Sequence, residues 1–359
     1  LNCRDHTNSL AFQVFHMTGH DYKSMVNTRD ILASRLEDLF HYNCWDADYT
    51  LMAYYYQKSK LEKDPELFGF FNFLMKGAEV LLGLTCRGVP INHNELNKLY
   101  TEYTRYKNDL IEMMRNISGV KKYETSKNVI FNPDSPPQLT AILVNEYKIT
   151  PDKYPGKLKG TKSGRLSTDK NAIPIILDVC EDMEVKKLLQ ALLQFRKCCS
   201  MLERIENYRK NSDQNSKVHP SYLLLCDTYR SSAEEPNIQN VFKHDEDLMI
   251  FRRAIVPSPG NILLEVDYSG LEVKVIGMAS GDPVLIEQIK SGFDPHRYWG
   301  AKLFQKPEPD INKLERYEAK NGFVFKSFYG GTPDAMPFYS DLFKTIPKEH
   351  FFKVQKEFW

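Results

Sequence analysis

At residues 97–117 the sequence NKLYTEYTRYKNDLIEMMRNI places apolar or aromatic side chains at helical spacing, and KKLLQALLQFRKCCSMLERIENYRK, residues 186–210, does so over a longer span. The pattern predicts two long amphipathic helices. After the turn PSPG it changes: NILLEVDYS, residues 261–269, is a short apolar run that reads as a buried strand. GLEVKVIGMASGD then reads as a helix ending at Gly281, with further helical segments near 283–291 and 295–304. Beyond the Pro-rich QKPEPD a last helix is expected over 314–328. No internal repeat interrupts this order. Strand signal mixed with segregated long helices predicts an α+β architecture.

Composition changes that picture little. The 359 residues, 42% apolar, suffice for two or three cores in units of about 100–200 residues. A formal charge of +1, from 48 basic and 47 acidic residues, makes no case for a polyanionic partner, so any nucleic-acid site must be a local patch. One candidate is GKLKGTKSGRLSTDKN at 156–171, which reads either as a solvated connector or as a phosphate-backbone grip. Seven scattered cysteines, with no CxxC pair and no zinc-like His spacing, suit free thiols in a reducing compartment. The run FGFFNFLMKGAEVLLGL is broken by Lys76 and Glu79, so no membrane span is expected, and a cytoplasmic location is (host cytoplasm for a viral protein, with an organelle also open).

Two features carry candidate chemistry. Asp267 closes the apolar run, and an ionised group withdrawn from water costs several kcal/mol unless something pairs with it. A partner is therefore implied. In RYEAKNGFVFKSFYGG, Arg316 and Lys320 share a helix face, and Phe323, Phe325, Phe328 and Tyr329 lead into Gly330 and Gly331. Cations followed by an aromatic wall suit a triphosphate joined to a base, although for this segment taken alone core aromatics beneath a charged helix start are the more ordinary reading.

In order along the chain, DYS followed by the helical Glu272, His296 with its Asp-x-His pattern in FDPHRYWGAKLF, and Arg316-x3-Lys320 running to Tyr329-Gly330 resemble motif A, the Asp-x-His before the fingers and motif B of the DNA polymerase I family, also called family A. Upstream, VHPSYLLLCDTYRSSAEEPNIQNV is similar to that family's His-Pro segment with Thr-x-Arg-x-Ser and Pro-Asn-x-Gln-Asn. GTKSGRLSTD resembles the thumb-tip loop, CRGVPINHNEL the opening of the polymerase domain, and YNCWDADYT the Tyr-x3-Asp motif of the proofreading exonuclease. The likeness spans nearly the whole chain. At Gly270, where Gln is common, the sequence resembles some bacteriophage members.

The resemblance implies a right-hand polymerase fold of palm, thumb and fingers, preceded by the C-terminal part of an RNase H-like 3′–5′ exonuclease domain. The expected divisions are an exonuclease remnant at 1–66, palm base at 67–96, thumb at 97–215, palm with motif A at 216–282, and fingers with motif B at 283–359. The implied activity is template-directed addition of dNTPs to a primer 3′-hydroxyl, the partners being primer-template DNA and dNTPs. Two magnesium ions, or manganese in their place, would be the cofactors, with Asp267 and the Tyr268 carbonyl as ligands. Glu272 would exclude a 2′-hydroxyl, His296, Arg316 and Lys320 would meet the triphosphate, and Phe325 and Tyr329 would line the base. Arg230 would probe the minor groove at the primer end, where acceptors are common to all correct pairs. Asn237 and Gln239 would support the template, and Lys162, Arg165, Ser167 and Thr168 the duplex backbone. Tyr42 and Asp46 would be one edge of the exonuclease site.

Two departures stand out. One residue more than the usual pattern separates Lys320 from Tyr329, so counting back from Tyr329 gives Phe325 as the stacking aromatic, whereas counting forward from Lys320 gives Val324. Motif C, with the second metal carboxylate, is expected beyond Trp359 or on a second polypeptide that completes the palm, and the exonuclease Asp-x-Glu is expected before Leu1. Rival readings are a 3′–5′ exonuclease and a catalytically silent DNA-binding accessory subunit.

Overall fold

The structure, a computed structural model, describes residues 9–25, 35–154, 158, 166–169, 171–224, 230–243, 245–268 and 270–359. The chain divides into two compact units, Leu1–Leu263 and Leu264–Trp359. That division falls inside the expected palm segment 216–282.

In the first unit, α1 (Leu10–Thr18) and α2 (Leu36–Leu61) precede α3 (Pro65–Arg87). The start of α3 is written in its sequence: the Asp64 side chain accepts from the Leu67 N–H, Pro65 supplies a preset φ, and Glu66 faces the positive helix end. It stops at Gly88, whose φ of 64° a side chain would resist and whose Cβ would lie 2.7 Å from the His219 ring. By length and composition α3 is apolar enough to cross a membrane, so Lys76 and Glu79 interrupt it less than the sequence reading supposed. Its face is largely exposed, Phe73, Val80 and Leu82 included. Thr85 anchors its end, the hydroxyl donating to the Pro220 carbonyl at 2.7 Å while the Thr85 carbonyl meets His219 Nδ1 at 2.7 Å.

Beyond the short β1 (Val89–Pro90) come α4 (His93–Arg115), α5 (Ser118–Lys127), α6 (Pro136–Ala141) with a π turn at Ile142–Glu146, α7 (Ala172–Val179) and α8 (Met183–Lys210). Helices α4 and α8 pack along one another. They are the two helices that periodicity predicted, each begun a few residues earlier by a capping side chain, Asn92 for α4 and Asp182 for α8. One buried cluster gathers Leu110, Met114, Leu188, Leu192 and Phe195; a second gathers Leu96, Leu99, Met201, Ile205, Tyr208 and Phe251. Strand β1 pairs antiparallel with β2 (Lys217–Val218), β3 (Ser221–Leu223) pairs antiparallel with β4 (Ser232–Glu234), and α9 (Glu246–Met249) follows.

The second unit contains α10 (Leu271–Ser280), α11 (Pro283–Lys290), α12 (Pro295–Phe304), α13 (Lys313–Glu318), a π-helix at Ala319–Val324, α14 (Phe325–Phe328) and α15 (Lys348–Phe358). Leu303, Ala319, Phe323, Val324, Met336, Phe343, Phe351 and Val354 form its core. Gly322 is required by close approach, since a Cβ there would sit 2.5 Å from the Phe343 ring.

Of the buried strand expected at 261–269, the described residues 261–268 form none. Residues 261–268 carry no regular structure and are exposed, Ile262 at 84% and Val266 at 83%. A strand is completed by a lateral neighbour, and among the described residues none pairs with this run.

Candidate active site

The second unit assembles a cation and aromatic cluster from four elements, α12, α13, the π-helix and α14. Asp294 caps α12, its Oδ1 accepting from the His296 N–H at 3.1 Å and the Arg297 N–H at 3.2 Å. The same carboxylate takes Arg316 of α13 side-on: Nε donates to Oδ2 at 2.8 Å and Nη2 to Oδ1 at 3.2 Å. Arg316 and the capping bonds hold Asp294 below the usual carboxylate range against the opposing cost of burial.

His296 lies on α12 with only 6% of its surface exposed, and its Nδ1 is buried without a hydrogen-bond partner. The ring meets Phe325 edge-on, centroids 5.5 Å apart at 73°. Burial, and then the Arg316 charge, push its pKa down to about 4, so the imidazole is neutral at pH 7. In this state the positive charges of the cluster are Arg316 and Lys320, not His296. The Lys320 ammonium stands 5.3 Å from the Phe325 ring centroid.

The π-helix explains how Lys320 and Phe325 come together although five residues apart. The Phe325 N–H donates to the Lys320 carbonyl, so one residue more than an α-turn allows is absorbed within Ala319–Val324. Phe325 is half-exposed, whereas Val324 is fully buried in the core. Tyr329, 69% exposed, follows at the end of α14.

Asp267 and Tyr268 are exposed on the irregular run 261–268, and Glu272 is half-buried in the first turn of α10. Among the described residues, no group of three or more His, Cys, Asp or Glu is placed to hold a metal ion. The Asp267 carboxylate and the Tyr268 carbonyl are hard oxygen donors of the kind magnesium takes, so they fit by chemistry as part of a set.

In the first unit, Arg230 is exposed. Gln239 Nε2 donates to Ser231 Oγ at 2.8 Å, and Asn237 accepts from the Asn240 N–H at 3.0 Å, as loop-capping residues do. Thr168 is buried, and its carbonyl accepts from Arg196 at 3.0 Å; Ser167 donates to Asp169 at 2.9 Å. Lys162 and Arg165 lie outside the described residues. Tyr42 and Asp46 sit one turn apart on α2, where the buried Tyr22 hydroxyl donates to Asp46 at 2.5 Å and Lys23 lies 3.9 Å away. Burial, and then that bond, push the Tyr22 phenol far up.

Asp294 was not singled out as a site residue from the sequence. The available signals were its place in the Asp-x-His pattern with His296 and the Asp directly before Pro295, a helix-start pattern; neither says anything of its grip on Arg316.

The sequence profile described as DNA polymerase family A matches residues 100–337. Curated relatives include DNA polymerase I of Aquifex aeolicus, 28% identical over 267 residues (70% of this chain, 42% of that protein). DNA polymerase I of Chloroflexus aurantiacus is 27% identical over 304 residues (82% of this chain, 30% of that protein). The chain thus spans less than half the length of these relatives. Among solved structures, the POL domain of Pol1 from M. smegmatis, in complex with DNA primer-template and dNTP, superposes with a TM-score of 0.71 at 20% identity. That match covers 98% of this chain and 55% of that one. It gives the fold as that of a polymerase domain, and because the family profile takes in well over half of the sequence, this chain belongs to the family A DNA polymerases.

Proposed function

We propose that the chain supplies the DNA-binding and nucleotide-binding parts of a template-directed DNA polymerase, which joins dNTPs to a primer 3′-hydroxyl and releases pyrophosphate. The observation that carries this reading is the gathering of Arg316, Lys320, His296 and the half-exposed Phe325 in one place. Arg316 and Lys320 would neutralise the triphosphate as charge shifts to the leaving group. The Phe325 face would carry the base, and Glu272 would fill the space of a 2′-hydroxyl. Neutral His296 would offer a ring N–H to a phosphate oxygen, with Arg230, Asn237, Gln239, Lys162, Arg165, Ser167 and Thr168 on the DNA. Asp267 and Tyr268 would hold magnesium or manganese, which when bound lowers the pKa of the primer hydroxyl and stabilises the leaving oxygen. A second metal carboxylate would come from a further segment or a second polypeptide. The expected divisions into exonuclease remnant, palm base, thumb, palm and fingers form part of this proposal, as does an intracellular location.

The test is primer extension by the polymerase with that second carboxylate present. Asp267→Ala should abolish extension while leaving DNA affinity within about twofold, since it removes a metal ligand and no phosphate contact. Undiminished extension by Asp267→Ala would sink the reading. Salt-sensitive DNA binding without any extension by the wild-type assembly would favour the silent accessory subunit instead.

A further inference from the structure

Arg316 and Asp294 form a side-on, two-bond ion pair whose side chains are 40% and 34% exposed. A pair this open to water adds little to stability, so stability explains its geometry poorly. Nor is the pair needed to seat α13. The start of that helix has its own capping box between Asn312 and Glu315, and Glu315, 7% exposed, is further held by Lys306. What the pair does provide is orientation. A guanidinium is a planar fork of five N–H donors. Asp294 occupies one edge, through Nε and Nη2, which fixes the plane and leaves the remaining N–H groups for another acceptor. With its Oδ1, Asp294 also caps the helix that carries His296. One carboxylate therefore sets both the Arg316 fork and the first turn beneath the His296 ring.

We propose that Asp294 is a positioning residue for the triphosphate: it orders Arg316 in advance of binding, so that phosphate meets an oriented donor and not a mobile cation. This rests on the phosphate-binding role proposed above for Arg316. Ordering a long side chain at the moment of binding carries an entropic cost, which Asp294 removes beforehand. Its negative charge also offsets part of the Arg316 charge, so the opposite outcome, Asp294 competing with phosphate, is a physical alternative with the opposite sign.

The experiment is isothermal titration of the full chain with inorganic tripolyphosphate and, separately, with magnesium dATP. Wild type is compared with Asp294→Asn, Arg316→Ala and the double variant. Asparagine keeps a capping oxygen for α12, and an unchanged thermal midpoint verifies that the fold is intact. Asp294→Asn should weaken both ligands about tenfold, equivalent to about 1.4 kcal/mol, and should add no further loss in the Arg316→Ala background. Unchanged or tighter binding by Asp294→Asn overturns the positioning role, as does a loss that persists undiminished without Arg316. If Arg316→Ala itself binds both ligands like wild type, the phosphate-binding reading of this site falls, and the positioning role falls with it.

Discussion

Acid should weaken the second unit through His296, and the size of the effect follows from the ring's surroundings. The imidazole is buried, packed against Phe325, and faces the cations of Arg316 and Lys320, with the Asp294 carboxylate opposing them. Its pKa lies at about 4 in the folded protein, against about 6.5 in an unfolded chain. Above pH 6.5 both states are neutral and the full stability is present. Between pH 6.5 and 4 the unfolded state binds a proton that the folded state refuses, so stability falls as pH falls; below 4 both states are protonated and this contribution is spent. The whole window is worth up to about 3 kcal/mol, and the drop from pH 7 to pH 5 about 2 kcal/mol. Thermal denaturation at pH 7, 6 and 5 should show wild type losing several degrees more than His296→Phe, whose ring does not titrate. Parallel curves for the two proteins would refute the assignment of a buried neutral histidine.

Gly322→Ala should destabilise the second unit by about 1–3 kcal/mol, because the added methyl meets the Phe343 ring at 2.5 Å; a wild-type melting curve would count against that packing. Phe325→Ala should weaken dNTP binding by about 1–3 kcal/mol through lost stacking, whereas Val324→Ala should lower the melting temperature with a smaller effect on nucleotide affinity. Glu272→Ala should raise ribonucleotide incorporation in a primer-extension assay, and unchanged sugar discrimination would remove Glu272 from its proposed role.

The helices were legible because their signals are local. Apolar spacing marked α4 and α8, and Asp282-Pro283 and Asp294-Pro295 marked the starts of α11 and α12. The resemblance gave the family, which the profile match shows. Periodicity read 314–328 as one helix, yet its hydrogen-bond pattern changes to π within Ala319–Val324; the signal was the surplus residue between Lys320 and Tyr329. The state of His296 was hidden because burial is tertiary: the same residue exposed on a helix would titrate normally. Residues 261–269 misled for a related reason. Their β-branched, apolar composition states a preference that a neighbour must complete, and composition cannot name that neighbour.

That unfinished run bears on how the protein behaves at the bench. Ile262, Leu263, Leu264 and Val266 offer water a greasy ribbon with no partner strand among the described residues. Ribbons of this kind zip onto copies of themselves, so concentrated solutions should cloud or form oligomers. Val266→Lys, which sets a charge in the middle of the ribbon, should keep them clear, and equal turbidity of the two proteins would count against self-pairing of this run.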